Sequence, residues 1–203
     1  MSNHSSILFI LYPMARPKSE DKRNAILAAA IHIMAEQGLG APTARIAKMA
    51  GVAEGTLFTY FDNKDELLNA LYLSIKAELR EALVPEFPRD ASMRERAQHL
   101  WRRYVGWGVA NPDKRKVMLV LSASERVTEQ SRAAGMQAFA EAGTLIENCT
   151  AQGHLQGHSP AFASAIMGAL AETTMDFIVR EPAQRDRYCD AGFNAFWNAI
   201  AHT

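Results

Sequence analysis

Six side chains between Thr43 and Lys64 can hold an oxyanion. Thr43, Thr56, Thr59 and Tyr60 carry hydroxyls, Arg45 a guanidinium and Lys64 an ammonium. All of them donate hydrogen bonds, and such donors on one short stretch suit phosphates and base edges. Gly55 removes a side chain where a second backbone could come close. Phe58, Tyr60 and Phe61 place three aromatics in four positions, bracketed by the turn signals Gly51 and Asn63. Lys64 opens the next helical run, where its charge and the free backbone N–H groups can hold one phosphate together. From Met14 to Lys64 seven Lys and Arg stand against five Asp and Glu, a local net charge of +2. The 203-residue chain is neutral as a whole, so any anion-binding surface must be local. The plainer alternative is a helical hairpin with a solvated charged face.

A second set of residues lies further on. Tyr72, Trp101, Tyr104, Trp107, Met167 and Phe177 fit the apolar wall of a small-molecule pocket. An aromatic stripe at helical spacing, such as Trp101, Tyr104 and Trp107, equally fits ordinary core. Glu172 and Asp176, four apart, can give a pocket a negative wall and a preference for amphipathic cations, helped by cation–π contact. The same pair on a salt-bridged surface would do neither. His154 and His158 have the spacing of a metal pair, but Gly153, Gly157 and Pro160 make the segment a loop with no third ligand nearby. No metal or cofactor is expected. Nucleophile elbow, P-loop, dinucleotide fingerprint and catalytic acid pair are all missing from the sequence, so the chain does not read as an enzyme. Cys149 and Cys189 follow no metal spacing and read as free thiols in a reducing cytosol.

The elements that must position these residues all read as helices. The expected architecture is all-α with about nine helices, divided into a flexible arm over 1–18, a helix-turn-helix unit over 19–63 and a larger helical unit over 64–203. Leu27, Ala30, Ile31 and Met34 follow the helical repeat. Thr43 is the expected N-cap of a short helix ending near Ala50, and a second short helix runs from about Glu54 to Phe61. Joined through Gly51, Val52 and Ala53, they form a helix-turn-helix, with Ile46, Ala47, Leu57 and Phe61 facing inward. Asn63 and Glu66 resemble a capping box opening a helix through Leu67, Leu71, Ile75 and Leu79. Later helices are expected over about 92–109, from Asn111-Pro112 with Asn111 as cap, over 125–151 as one long helix, from Ser159-Pro160 to about Arg180, and after Pro182. The run Val117–Leu121 is apolar all round and reads as buried. Ala165, Gly168, Ala169 and Ala171 permit close helix approach, and Phe193, Phe196, Trp197 and Ile200 supply apolar area for a subunit interface. The segment Ile7–Tyr12 is too short to span a membrane, and Met14 is a candidate natural start. No later run reads as a membrane span, and a cytoplasmic protein is expected.

The stretch TARIAKMAGVAEGTLFTYFDNKDELLNALY, Thr43 to Tyr72, closely resembles the DNA-binding region of TetR-family transcriptional repressors. MARPKSEDKR, GVAEGTLF with KDEL, the GWG at Gly106–Gly108 and ALAETTMDF at Ala169–Phe177 resemble RamR-type repressors of multidrug efflux pathways. The resemblance implies a dimer that binds a palindromic operator on double-stranded DNA and is released by a small amphipathic inducer. It also implies control of efflux or stress genes; the acidic pair adds the expectation of a cationic aromatic ligand, and no membrane partner is expected. Thr43, Thr56, Tyr60 and Lys64 match positions that contact DNA in the family. Phe58 stands where the family has tyrosine, Ala44 where some members read a base, and Thr59 where the nearer relatives have arginine. Tyr72 and Tyr104 match aromatic ligand positions, and Met167 replaces a stacking phenylalanine. The rival readings are a helical enzyme or binding module that keeps a helix-turn-helix without regulatory DNA binding, and a structural dimerisation protein.

Overall fold

The computed structural model describes residues 18–137, 139–151 and 153–201. Arg16, the Ile7–Tyr12 segment and Met14 lie outside them. Helix α1 spans Lys18–Gln37, so it begins at the last residue expected in the arm. It is followed by α2 (Thr43–Met49), α3 (Glu54–Tyr60), α4 (Lys64–Leu83), α5 (Met93–Ala110), α6 (Pro112–Ala123), α7 (Glu129–Gln137), α8 (Ala140–Thr150), α9 (Pro160–Arg180) and α10 (Arg185–Ile200), with a 3-10 turn at Pro182–Gln184. The fold is all-α, and no strand occurs among the described residues.

Local chemistry sets most helix starts. Ser92 accepts from Glu95 N while the Glu95 carboxylate accepts from Ser92 N, a closed capping box at the head of α5. Ser159 caps α9 by accepting from Phe162 N. Asn63 accepts from Glu66 N at the head of α4, but Glu66 reaches Asp62 N and not Asn63, so that box is only half closed.

Several sequence expectations need correction. Thr43 does not cap α2. It is the first helical residue, after the extended Pro42, and its hydroxyl donates to Glu54. Asn111 does not cap α6 with its side chain, because its Nδ2 donates back to Trp107 O and closes α5. The long helix expected over 125–151 is broken into α7 and α8. The Val117–Leu121 run is not buried all round: Val117 and Leu121 are, but Leu119 and Val120 are exposed. The ten α-helices among the described residues agree with the all-α architecture of about nine helices that the sequence leads one to expect.

Helix α4 is the spine. Its Leu67, Leu68, Leu71, Ile75, Leu79 and Leu83 are all buried, first among α1–α3 and then among the later helices. One glycine sets the spacing of its neighbour: a Cβ at Gly135 would lie 2.7 Å from Tyr72 Cε1 and 3.3 Å from Lys76 Cγ, so α7 lies on α4 closer than any other residue permits. The loop between α6 and α7 is tied to the first turns of α4. Asn69 Nδ2 donates to Asp65 O and Arg126 O, Asn69 Oδ1 accepts from Thr128 N and Oγ1, and Arg126 pairs with Asp65.

The last helix packs into the same core through α5. Trp101 is fully buried, stacks on Phe196 with ring centroids 5.7 Å apart and planes 13° from parallel, and donates from Nε1 to Cys189 O. Phe193, Trp197 and Ile200 join it. By length and composition α9 does reach the requirement for crossing a membrane, with a window hydropathy of 1.3, which corrects the expectation that no such run exists. Only 28% of that window is buried within the chain.

Candidate nucleic-acid interface and internal cavity

The α2–α3 unit divides its residues by face. Ile46, Ala47, Leu57 and Phe61 are buried, as the spacing predicts. Gly51 turns the chain at φ 69°, and Val52 N donates to Ala47 O, so α3 leaves at a fixed angle. Arg23 of α1 lies over the Phe61 ring at 5.4 Å and covers the buried edge. Arg45, Gly55, Phe58 and Thr59 are exposed, while Thr43, Thr56, Tyr60 and Lys64 are partly buried at the margins. Phe58 is 41% exposed, so its ring is open to a partner outside the described residues. A Cβ on Gly55 would meet nothing within 4 Å, so its missing side chain serves no packing inside this chain.

Three of the expected donors are already engaged. Thr43 Oγ1 donates to Glu54 at 2.7 Å, a bond that joins the first residues of α2 and α3. Thr59 Oγ1 donates to Gly55 O at 3.2 Å within its own helix. Lys64 Nζ donates to Ala41 O at 2.6 Å. Burial holds the Lys64 ammonium below the usual lysine range, with Arg126 nearby acting the same way and Asp65 opposing. Among the described residues Arg45, Thr56 and Tyr60 are the uncommitted donors of the expected set.

Two adjoining cavities open among the later helices. One, of about 650 Å³, is lined by Leu79 and Leu83 of α4, Tyr104 and Trp107 of α5, Met118 of α6, Ile146 of α8, and Met167 and Glu172 of α9, among others. The other, of about 670 Å³, lies between α4, the segment 84–89 and the α7–α8 junction. Lys76, Leu83, Leu100, Phe139 and Ala142 line both. Such volumes are ordinary for small-molecule sites. Tyr104 is pushed above the usual phenol range by burial and by the Glu172 charge, with Arg115 opposing.

Of the expected ligand residues, Tyr104, Trp107, Met167 and Glu172 line the cavity. The others do not. Trp101 is core. Tyr72 is buried beneath Gly135 with Lys76 over its ring at 5.7 Å. Phe177 is exposed on the outer face of α9 against Tyr188. Asp176 is held by Arg115 Nη2 at 2.6 Å, and Glu172 lies 3.4 Å from Arg115 Nε. One guanidinium therefore bridges these two acids and offsets one of their two charges. Sequence reasoning missed Lys76, Arg115 and Met118. Lys76 had a signal: it stands four residues after Tyr72 and three before Leu79, on the buried stripe of its helix.

The expected interface residues also divide. Phe193, Phe196, Trp197 and Ile200 are buried inside the single chain and cannot face a partner, a correction that follows from their packing on Trp101. Ala165 and Ala169 are exposed on α9, Gly168 is partly exposed, and Ala171 is buried. With Phe162, Thr173 and Phe177 they mark the outer stripe of α9. His154 and His158 lie between α8 and α9, and no metal-binding group of three His, Cys, Asp or Glu occurs among the described residues.

Residues 26–71 match the family model described as bacterial regulatory proteins, tetR family. Over 72 residues the chain is 33% identical to the fatty acid metabolism regulator protein of Bacillus subtilis (strain 168), covering 35% of this chain and 37% of that one. The leading curated matches span between 37% and 52% of those relatives' own lengths. The fold of the TetR-like regulator LfrR of Mycobacterium smegmatis, solved in complex with proflavine, superposes with a TM-score of 0.61 at 19% identity, over 90% of this chain and 99% of that one. A solved chain from Shewanella sp. PV-4, assigned to the tetR family of transcription regulators, superposes with a TM-score of 0.78 at 30% identity, over 90% of this chain and 99% of that one. Likeness at that identity over nearly the whole of a solved relative, with its own helix-turn-helix inside the family model, makes this chain a member of the tetR family of regulatory proteins.

Proposed function

We propose that the chain is a transcriptional repressor that binds a palindromic operator as a homodimer and is released when a small amphipathic molecule fills the cavity. The observation that carries this is α4. It begins with Lys64 beside the exposed face of α3 and runs unbroken to Lys76, Leu79 and Leu83 in the cavity wall. Its 20 residues span about 30 Å as one rigid element. A molecule that changes the packing at one end tilts the other. In this reading the DNA-binding unit is 19–63, the sensing and dimerisation unit is 64–203, and α4 belongs mechanically to both.

Arg45, Thr56 and Tyr60 with Thr43 and Lys64 provide phosphate and base-edge donors, and Gly55, Phe58 and Thr59 form the surface that meets the groove. The apolar outer stripe of α9 supports a twofold partner, because a helix so apolar and so little covered in one chain needs a second copy against it. A dimer places two copies of α3 on successive turns of the duplex. Export or stress genes are the proposed targets, on the resemblance to RamR-type regulators. The preference for a cationic ligand expected from Glu172 and Asp176 is reduced, because Arg115 offsets one of their two charges. The coupling between inducer and operator should lie in the range of about 1–3 kcal/mol, and it must be reciprocal.

The test is a mobility-shift titration on the DNA flanking the chain's own gene, at two salt concentrations and against scrambled DNA. Salt-sensitive binding with a sequence preference is expected. A folded dimer with no preference for any flanking segment at low salt would refute the proposal.

A further inference from the structure

The cavity wall holds buried hydrogen-bond donors that meet no acceptor among the described residues. Lys76 sits where the two chambers meet and lines both. Its ammonium lies 5.1 Å from the Phe139 ring centre and 5.7 Å from that of Tyr72, and among the described residues no carboxylate pairs with it. Two more residues of the chamber lined by Tyr104 and Met167 hold buried donors without an acceptor among the described residues, Trp107 Nε1 and Arg115 Nη1. Among the described residues none of the lining acids pairs with Lys76: Glu172 pairs with Arg115, Glu141 with Arg89, and Glu81 and Glu147 are exposed. Around the donors the wall is apolar, formed by Leu79, Leu83, Leu100, Met118, Ile146 and Met167.

We infer that the cavity takes an amphipathic anion, with a carboxylate head on Lys76 and an apolar body in the chamber lined by Met118, Ile146 and Met167. A lone ammonium among aromatic rings is stabilised only in part by their faces, and a carboxylate gives it a charge-assisted hydrogen bond in a site that excludes water. Burial holds the Lys76 ammonium below the usual lysine range, the direction expected of a cation still waiting for its counter-ion. A cationic ligand would bring a second positive charge against Lys76 at this junction. The inference rests on the reading of this cavity as the regulator's sensing site, and it names the chemistry of what is sensed.

Three probes with one tail separate the possibilities: laurate, dodecanol and dodecyltrimethylammonium, each titrated calorimetrically into the full-length protein. Laurate should bind wild type about tenfold tighter than dodecanol, the worth of one charge-assisted hydrogen bond in a partly dry site, and the ammonium should bind weakest. Lys76→Met, which keeps the length and apolar body of the side chain, should remove the advantage of laurate and leave dodecanol unchanged. The ranking on wild type stands by itself should the variant fold poorly. An ammonium that binds as well as laurate, a Lys76→Met protein that keeps the preference, or no binding by any probe overturns the inference. A separate operator titration with laurate tests the sensor reading: tight laurate binding with unaltered operator affinity leaves the site and its chemistry in place and removes its regulatory role.

Discussion

The helix-turn-helix and the cavity differ in how much chain each needs. The first is made by the stretch from Thr43 to Lys64, and its parts meet within a turn or two. The second draws on α4, α5, α6, α8 and α9, from Lys76 to Glu172. In the short unit, angular position alone decides the fate of a residue. Leu57 and Phe61, four apart, are buried, and Phe58, one step round from Leu57, faces out. In the cavity angle is not enough. Trp101, Tyr104 and Trp107 share one stripe of α5, but Trp101 meets Phe196 and Phe193 of α10 while Tyr104 and Trp107 meet open volume. Spacing says which face turns inward. What stands opposite at each height is a property of distant sequence.

The contrast can be broken most forcefully at Trp101. Trp101→Ala should lower stability by about 3–5 kcal/mol, the cost of truncating a fully buried aromatic, read as a shift in a urea midpoint. A loss near zero would mean that Trp101 belongs with the cavity wall after all. At the proposed dimer face, Gly168→Arg should shift the protein toward monomer in sedimentation while leaving the melting of the single chain nearly unchanged, since a Cβ there meets nothing within 4 Å. A dimer that survives the substitution moves the interface off this stripe. In the short unit, Lys64→Ala should weaken binding to all DNA sequences alike and lower the salt slope by about one. A change in preferred sequence instead would make Lys64 a base reader.

The smallest effect is expected at Glu172, and it depends on pH. Burial raises its carboxyl above the usual range, Arg115 opposes this and Asp176 adds to it. A carboxyl that holds its proton more firmly when folded contributes stability at low pH and loses that contribution as pH rises from about 4.5 through its folded value. Glu172→Gln mimics the protonated form and should flatten the decline in that window, with Asp176 keeping hold of Arg115. A wild type that gains stability relative to the variant over the same rise would show that the ion pair with Arg115 outweighs burial.

The sequence therefore makes the fold class, the four inward residues of the short helices and the exposed edge of α3 legible, because each rests on neighbours within a few positions. It misleads where two signals compete locally. Thr43 looks like a cap, but Pro42 already supplies the extended residue and Glu54 offers the hydroxyl a better acceptor. Phe193, Phe196 and Trp197 look like interface because they crowd one helix face, yet that face meets Trp101. Glu172 and Asp176 look like a charged wall until Arg115, far along the chain, is placed between them. The cation that does face the cavity, Lys76, was masked by the common habit of lysines to stay in water.

Asn69 has one more consequence. Its amide has two hydrogens and two lone pairs, and all four are in use, two toward Asp65 and Arg126 carbonyls and two from Thr128. A joint with spare capacity can slip by degrees, exchanging one partner for the next. This one has none to exchange. The loop that follows the cavity-lining helix α6 thus keeps its grip on the helix that begins at Lys64 until several bonds let go together, which makes the connection behave as a latch with no play and favours two discrete positions over a graded response.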